Sequence, residues 1–119
     1  MKLFESGEDY LERILILKER MGNVRSIDIV NDMGFSKPSV SVAMKKLKDG
    51  GYIEIDKNGY ITLTDLGNEI ASNVYERHQV LTKLFMSLGV DEQTAMKDAC
   101  KVEHDLSEET FQAIKNKMK

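Results

Sequence analysis

A single cysteine in 119 residues leaves no partner for an intramolecular disulfide. With one proline and no low-complexity run, nothing in the chain reads as a disordered linker. No stretch approaches the ~18 consecutive apolar residues of a membrane-spanning helix. The opening Met1-Lys2-Leu3-Phe4-Glu5 lacks the apolar run of a secretory signal. These absences predict a cytoplasmic, reduced protein with no membrane partner. The chain also lacks a glycine-rich phosphate loop, a nucleophile elbow and a His-Glu-x-x-His zinc-hydrolase motif, so no enzyme is expected. A global excess of basic charge is missing too, since the net charge is −3. The charge is nevertheless uneven: residues 20–60 carry seven Lys/Arg against five Asp/Glu, and the remainder carries ten against fifteen.

The hydrophobic fraction of 41% and charged fraction of 31% are those of an ordinary soluble protein. The length suits one domain, or a small module with a helical addition. Within the acidic portion, Cys100, Glu103 and His104 fall at i, i+3 and i+4, which puts all three on one side of a helix. A thiol, a carboxylate and an imidazole on one patch are metal-ligand chemistry. Asp9 and Glu12 are again i and i+3, and His78 lies on a separate helix.

In chain order, residues 6–20 read as a helix with Ser6 as N-cap, Gly22 as stop, and Tyr10, Leu11, Ile14, Leu15 and Leu17 on its apolar face. Asp9 and Glu12 lie at the edge of that face. Taken alone they read as first-turn acids that complement the helix dipole and face water. Ser26 is then expected to cap a short helix that Gly34 ends. Ser36 caps the next, with Pro38 in its first turn, where a missing N–H costs little. Two short helices joined by a glycine turn form a helix-turn-helix, and the second becomes the recognition helix. It offers Ser36, Lys37, Pro38, Ser39, Ser41, Lys45 and Lys46 to DNA, and Arg25 stands at the start of the preceding helix. The bland alternative for the lysines is a solvated face on a core helix.

Tyr52–Ile55 and Tyr60–Leu63 alternate as strands around Asp56-Lys57-Asn58-Gly59. Asn-Gly predicts a two-residue hairpin turn with both residues at positive φ. A hairpin directly after a helix-turn-helix is a wing, with Lys57 at its tip to meet a phosphate or minor groove. Thr64-Asp65 opens a long helix reaching about Leu88, striped by Leu66, Ile70, Val74, Leu81, Leu84, Phe85 and Leu88. His78 falls on that stripe and alone reads as a core residue. The stretch from Leu81 to Leu88 exceeds the needs of the winged module and is expected to pair with a second copy. Asp91 caps a helix to about Glu103, with Met96, Ala99 and Val102 facing the core, and Ser107-Glu108-Glu109 opens a last one. Cys100 by itself reads as a small buried hydrophobe.

The fold class is therefore mainly α with a small β-hairpin: a winged helix-turn-helix over residues 1–63 and a helical metal-binding and dimerisation domain over residues 64–119. The order Glu8-Asp9-Tyr10-Leu11-Glu12, Ser36-Lys37-Pro38-Ser39-Val40-Ser41, wing, Arg77-His78, Ala99-Cys100-Lys101-Val102-Glu103-His104-Asp105-Leu106-Ser107 resembles the diphtheria-toxin-repressor family of metal-dependent transcriptional repressors. The length resembles its short manganese-transport-regulator branch. By that resemblance Asp9, Glu12 and His78 match ligands of the manganese branch, and Glu103 and His104 match the pair found across the family. Cys100 matches a position that is Cys in iron-type members. The resemblance implies a homodimer on a double-stranded DNA operator, repressing genes for metal uptake and homeostasis.

Three carboxylates, two imidazoles and one thiol suit Mn²⁺ or Fe²⁺ better than a closed tetrahedral zinc site, with the sulfur shifting preference toward softer metals. Asp9 and Glu12 belong to the DNA-reading half and the other four to the dimerising half. One ion held by both sets would couple the halves. The competing expectation is a winged-helix regulator that answers to a small molecule without metal.

Overall fold

The computed structural model describes residues 5–119, so Met1–Phe4 lie outside the description. Helix α1, Glu5–Met21, buries Tyr10, Leu11, Ile14 and Leu17 on one stripe. Ser6 lies inside this helix rather than capping it. Helix α2, Ser26–Met33, begins one residue earlier than a Ser26 cap would allow. Asp28 reaches back to accept the Arg25 backbone N–H at 2.8 Å, which makes Arg25 the boundary residue. The carboxylate at the third helical position thus accepts the N–H of the cap residue, the reciprocal half of a capping box, and the start of the helix moves to Ser26 itself. Gly34 closes the helix, its N–H donating to the Val30 carbonyl.

Helix α3, Lys37–Asp49, starts as the sequence predicts. The Ser36 hydroxyl accepts the Ser39 N–H at 3.2 Å, and Pro38 occupies the first turn. Val40, Met44 and Leu47 turn inward. Strands β1, Ile53–Ile55, and β2, Ile61–Leu63, pair antiparallel with Ile53 opposite Leu63 and Ile55 opposite Ile61. Ile53 and Ile61 enter the core while Glu54 and Thr62 face outward, as alternation requires. The Ile61 N–H also donates to the Val24 carbonyl at 2.7 Å, which ties the turn end of the hairpin to the segment just before α2.

The hairpin turn differs from the Asn-Gly expectation. Among the described residues, positive φ occurs at glycines alone, so Asn58 does not take the conformation a type I′ turn needs. Asp56 explains the change. Its Oδ1 accepts the N–H groups of Asn58 and Tyr60 at 2.8 and 2.9 Å, and its carbonyl accepts the Gly59 N–H at 3.0 Å. The result is a three-residue loop in which only Gly59, at φ 84°, needs left-handed backbone.

Helix α4, Asp65–Ser87, is opened by Thr64, whose hydroxyl accepts the Gly67 N–H at 3.1 Å. That hydroxyl also donates to the Gly51 carbonyl at 2.7 Å, and the Thr64 N–H donates to the Tyr52 carbonyl. Gly67 is required by proximity: a Cβ there would stand 2.0 Å from the Tyr52 carbonyl oxygen.

The chain divides into two compact units, residues 1–72 and 73–119. In the first, α1, α2, α3, the hairpin and the start of α4 surround a core of Tyr10, Leu11, Ile14, Leu17, Val24, Ile29, Val40, Met44, Leu47, Tyr52, Ile53, Ile61 and Ala71. The second holds the remainder of α4, α5 (Glu92–Val102) and α6 (Glu108–Lys117). Asp91 and Ser107 cap α5 and α6 through the N–H groups of Thr94 and Thr110. Its buried apolar residues are Val74, Leu81, Ala95, Ala99 and Phe111. Met96, expected in the core, is 44% exposed, and Val102 is only half-buried. The buried stripe of α5 runs Ala95, Ala99, Glu103, and Met96 lies ~100° around the helix from it.

Candidate metal centre and nucleic-acid interface

The nucleic-acid candidates all lie in the first unit. Arg25, Ser36, Lys37, Pro38, Ser39, Ser41, Lys45, Lys46 and Lys57 are all exposed. The buried stripe of α3 through Val40, Met44 and Leu47 leaves its other faces to solvent, and Lys37, Ser41, Lys45 and Lys48 sit there. Lys45 makes an exposed i, i+4 pair with Asp49 at 3.4 Å, a contact too weak to hold it from a phosphate. Arg25 lies over the ring of Tyr60, 4.5 Å from its centroid. The hairpin thus steadies this cation by a cation–π contact. Tyr60 in that role is invisible to sequence, because only the Val24–Ile61 pairing brings it beside Arg25.

Of the six metal-ligand candidates, Asp9 and Glu12 stand one turn apart on α1 in the first unit. Asp9 is half-buried and Glu12 is 6% exposed. Burial of Glu12 removes the reading of a water-facing first-turn acid, since a carboxylate is rarely enclosed without a partner.

The other four belong to the second unit, and three converge there. The Glu103 carboxylate, in a residue 1% exposed, has Oε2 3.1 Å from His78 Nδ1 and Oε1 3.4 Å from His104 Nε2. Local structure explains the arrangement. The Glu103 N–H donates to the Ala99 carbonyl, so helical geometry persists past the last residue of α5, and Glu103 continues the buried Ala95–Ala99 stripe. His78 comes from the middle of α4, and its carbonyl accepts the Thr82 hydroxyl at 2.7 Å. Cys100 precedes Glu103 on the same helix and is exposed, which excludes the reading as a small buried hydrophobe. One carboxylate between two imidazoles, with a thiolate source one turn away, is a donor set that fits a divalent transition metal.

Two family models match the chain. Residues 2–61 match the N-terminal DNA-binding domain of the iron-dependent repressors, and residues 64–119 match their metal-binding and dimerisation domain. The chain belongs to the iron-dependent repressor family. Within this family of transcriptional regulators, it is 37% identical over 114 residues to an uncharacterised HTH-type transcriptional regulator of Methanocaldococcus jannaschii, covering 93% of this chain and 90% of that one. It is 35% identical over 108 residues to the transcriptional regulator MntR of Escherichia coli, covering 91% and 70%. Among solved structures, the manganese regulator SloR matches with a TM-score of 0.83 at 29% identity, over 92% of this chain and 52% of that one. A manganese-dependent transcriptional repressor in complex with manganese matches with a TM-score of 0.84 at 27% identity, over 94% and 52%. The chain thus spans about half the length of these solved relatives. The family's winged-helix architecture is the one seen here, and no helix among the described residues is long and apolar enough to cross a membrane.

Proposed function

We propose that this protein is a metal-dependent DNA-binding repressor of metal-uptake and homeostasis genes, working as a cytoplasmic homodimer and not as an enzyme. The observation that carries this reading is the enclosed Glu103 carboxylate between the His78 and His104 imidazoles, on the same chain as an exposed, well-capped recognition helix. The metal proposed is Mn²⁺ or Fe²⁺. The oxygen- and nitrogen-rich donor set supports it, as do the manganese dependence of a solved relative and the iron dependence for which the family is named.

Residues 1–63 serve as the DNA-binding domain and residues 64–119 as the metal-binding and dimerising one. Asp9 and Glu12 from the former and His78, Cys100, Glu103 and His104 from the latter are the residues that would hold the ion. A divalent ion, when bound, would supply the positive charge that offsets the repulsion between the carboxylates of the two domains. Ligation from both sides would then restrict the angle between the two domains. In a two-fold dimer that angle sets the separation of the paired recognition helices, which must be ~34 Å, or a multiple, to enter successive major grooves. Binding of metal and of DNA therefore strengthen each other. The exposed Met86 and Leu88 near the end of α4 support a self-association surface.

The test is a side-by-side measurement of binding to candidate upstream DNA with Mn²⁺, Fe²⁺, Zn²⁺ and chelator. The expected result is that Mn²⁺ or Fe²⁺ tightens binding at least tenfold over chelator. Equal affinity in chelator and metal contradicts the proposal and favours a regulator that answers to something else.

A further inference from the structure

Arg77 is adjacent in sequence to His78, yet its side chain turns to a different partner set. One guanidinium nitrogen, Nη1, donates to the Glu103 carbonyl at 2.9 Å and to the Leu106 carbonyl at 2.7 Å. The other, Nη2, pairs with Glu108 Oε2 at 2.9 Å. The guanidinium carbon sits 5.1 Å from the centroid of the buried Phe111 ring. The Arg77 side chain is 16% exposed.

Two consecutive residues of α4 thus grip one residue from both ends. His78 meets the Glu103 carboxylate and Arg77 holds the Glu103 main chain. The carbonyls at the end of α5 have no further helical N–H to accept from, and a cation there satisfies them and complements the helix dipole. A guanidinium meets several acceptors at once with its planar fork, whereas an ammonium is a single point donor. The turn so fixed carries Glu103 and His104, and Glu108 and Phe111 anchor the guanidinium from α6.

We propose that Arg77 is a positioning residue for the metal centre: it holds the turn between α5 and α6 so that Glu103 and His104 face the ion. The inference rests on the metal-centre reading above. Partners that orient ligands typically account for 10- to 100-fold in metal affinity. The experiment measures the Mn²⁺ dissociation constant of the full chain by competition with a chelating dye, alongside thermal unfolding in chelator and in Mn²⁺. Wild type, Arg77→Lys, Arg77→Met, Glu108→Gln and Glu103→Gln are compared.

Arg77→Met is expected to weaken Mn²⁺ binding by about 10- to 100-fold. Arg77→Lys should recover part of that loss, and Glu108→Gln should cost about two- to fivefold. The electron spin resonance spectrum of bound Mn²⁺ should broaden in the Arg77 variants as the ligand geometry loosens. A purely architectural role predicts something else: lower melting in chelator, with the dissociation constant and spectrum unchanged. Folded Arg77→Met with a wild-type dissociation constant overturns the inference. Should Arg77→Met fail to fold, an unchanged constant in both Arg77→Lys and Glu108→Gln overturns it equally. Failure of the underlying reading looks different, because wild type would then bind no Mn²⁺, or Glu103→Gln would bind it as wild type does.

Discussion

Replacing Glu103 with glutamine tests the metal centre at its most enclosed atom. The amide keeps the shape of the side chain but removes the anion, and it presents an NH₂ group or a neutral carbonyl to the imidazoles of His78 and His104, 3.1 and 3.4 Å from the present oxygens. Loss of a charged ligand between two others should raise the metal dissociation constant by at least ~100-fold, the upper end of what even outer partners contribute. The consequence for stability follows from mass action. With metal at 100 times the wild-type dissociation constant, ligation stabilises the native state by about 2.7 kcal/mol, and at the variant's constant by about 0.4 kcal/mol. At roughly 4 °C per kcal/mol for a chain of this size, the Mn²⁺-induced rise in melting temperature should fall from about 11 °C to about 2 °C. Thermal unfolding followed by circular dichroism, with and without Mn²⁺, reads the difference directly. A Glu103→Gln protein that keeps the full Mn²⁺-induced rise refutes the placement of the ion at this carboxylate.

Other consequences can be checked separately. Gly67→Ala drives a Cβ into the Tyr52 carbonyl at 2.0 Å and should destabilise by about 1–3 kcal/mol in denaturant titration; a neutral effect would show that the start of α4 yields. Ser36→Ala removes the cap of α3 and should cost about 1 kcal/mol of stability, with operator binding weakened further; retention of both would deny the cap an energetic role. Lys45→Ala should lower the slope of log affinity against log salt by about one if this side chain meets a phosphate, and an unchanged slope returns it to a solvated face. Mn²⁺ affinity should decline on acidification, because binding requires deprotonated ligands, and pH-independent binding in a titration calorimeter would contradict that.

The helix-turn-helix was legible because each of its signals is local. Ser36, Pro38 and Gly34 act within four residues of their own positions, and all three behave as read. The departures arise where a neighbouring carboxylate competes with the expected residue for the same backbone groups. Asp28 displaced Ser26 as the group serving the start of α2, and Asp56 organised the hairpin so that Asn58 never needed positive φ. Met96 was misplaced because the buried stripe of α5 follows Ala95, Ala99 and Glu103, and a buried carboxylate does not advertise itself as part of an apolar pattern. Glu103 and His104 were legible from their spacing to Cys100, whereas their approach to His78 depends on a residue 25 positions away. In the sequence Arg77 stands out only as the neighbour of His78. Its bonds reach 26 to 31 residues along the chain, beyond any local pattern.

The central claim is that one ion takes ligands from both α1 and the carboxy-terminal helices. Amide hydrogen exchange of the full chain, compared between chelator and saturating Mn²⁺, addresses it most directly. The account predicts slower exchange on Mn²⁺ binding at two places at once: around Asp9 to Glu12 in α1, and around Cys100 to His104. Protection confined to the second region, with α1 exchanging as it does in chelator, would contradict it.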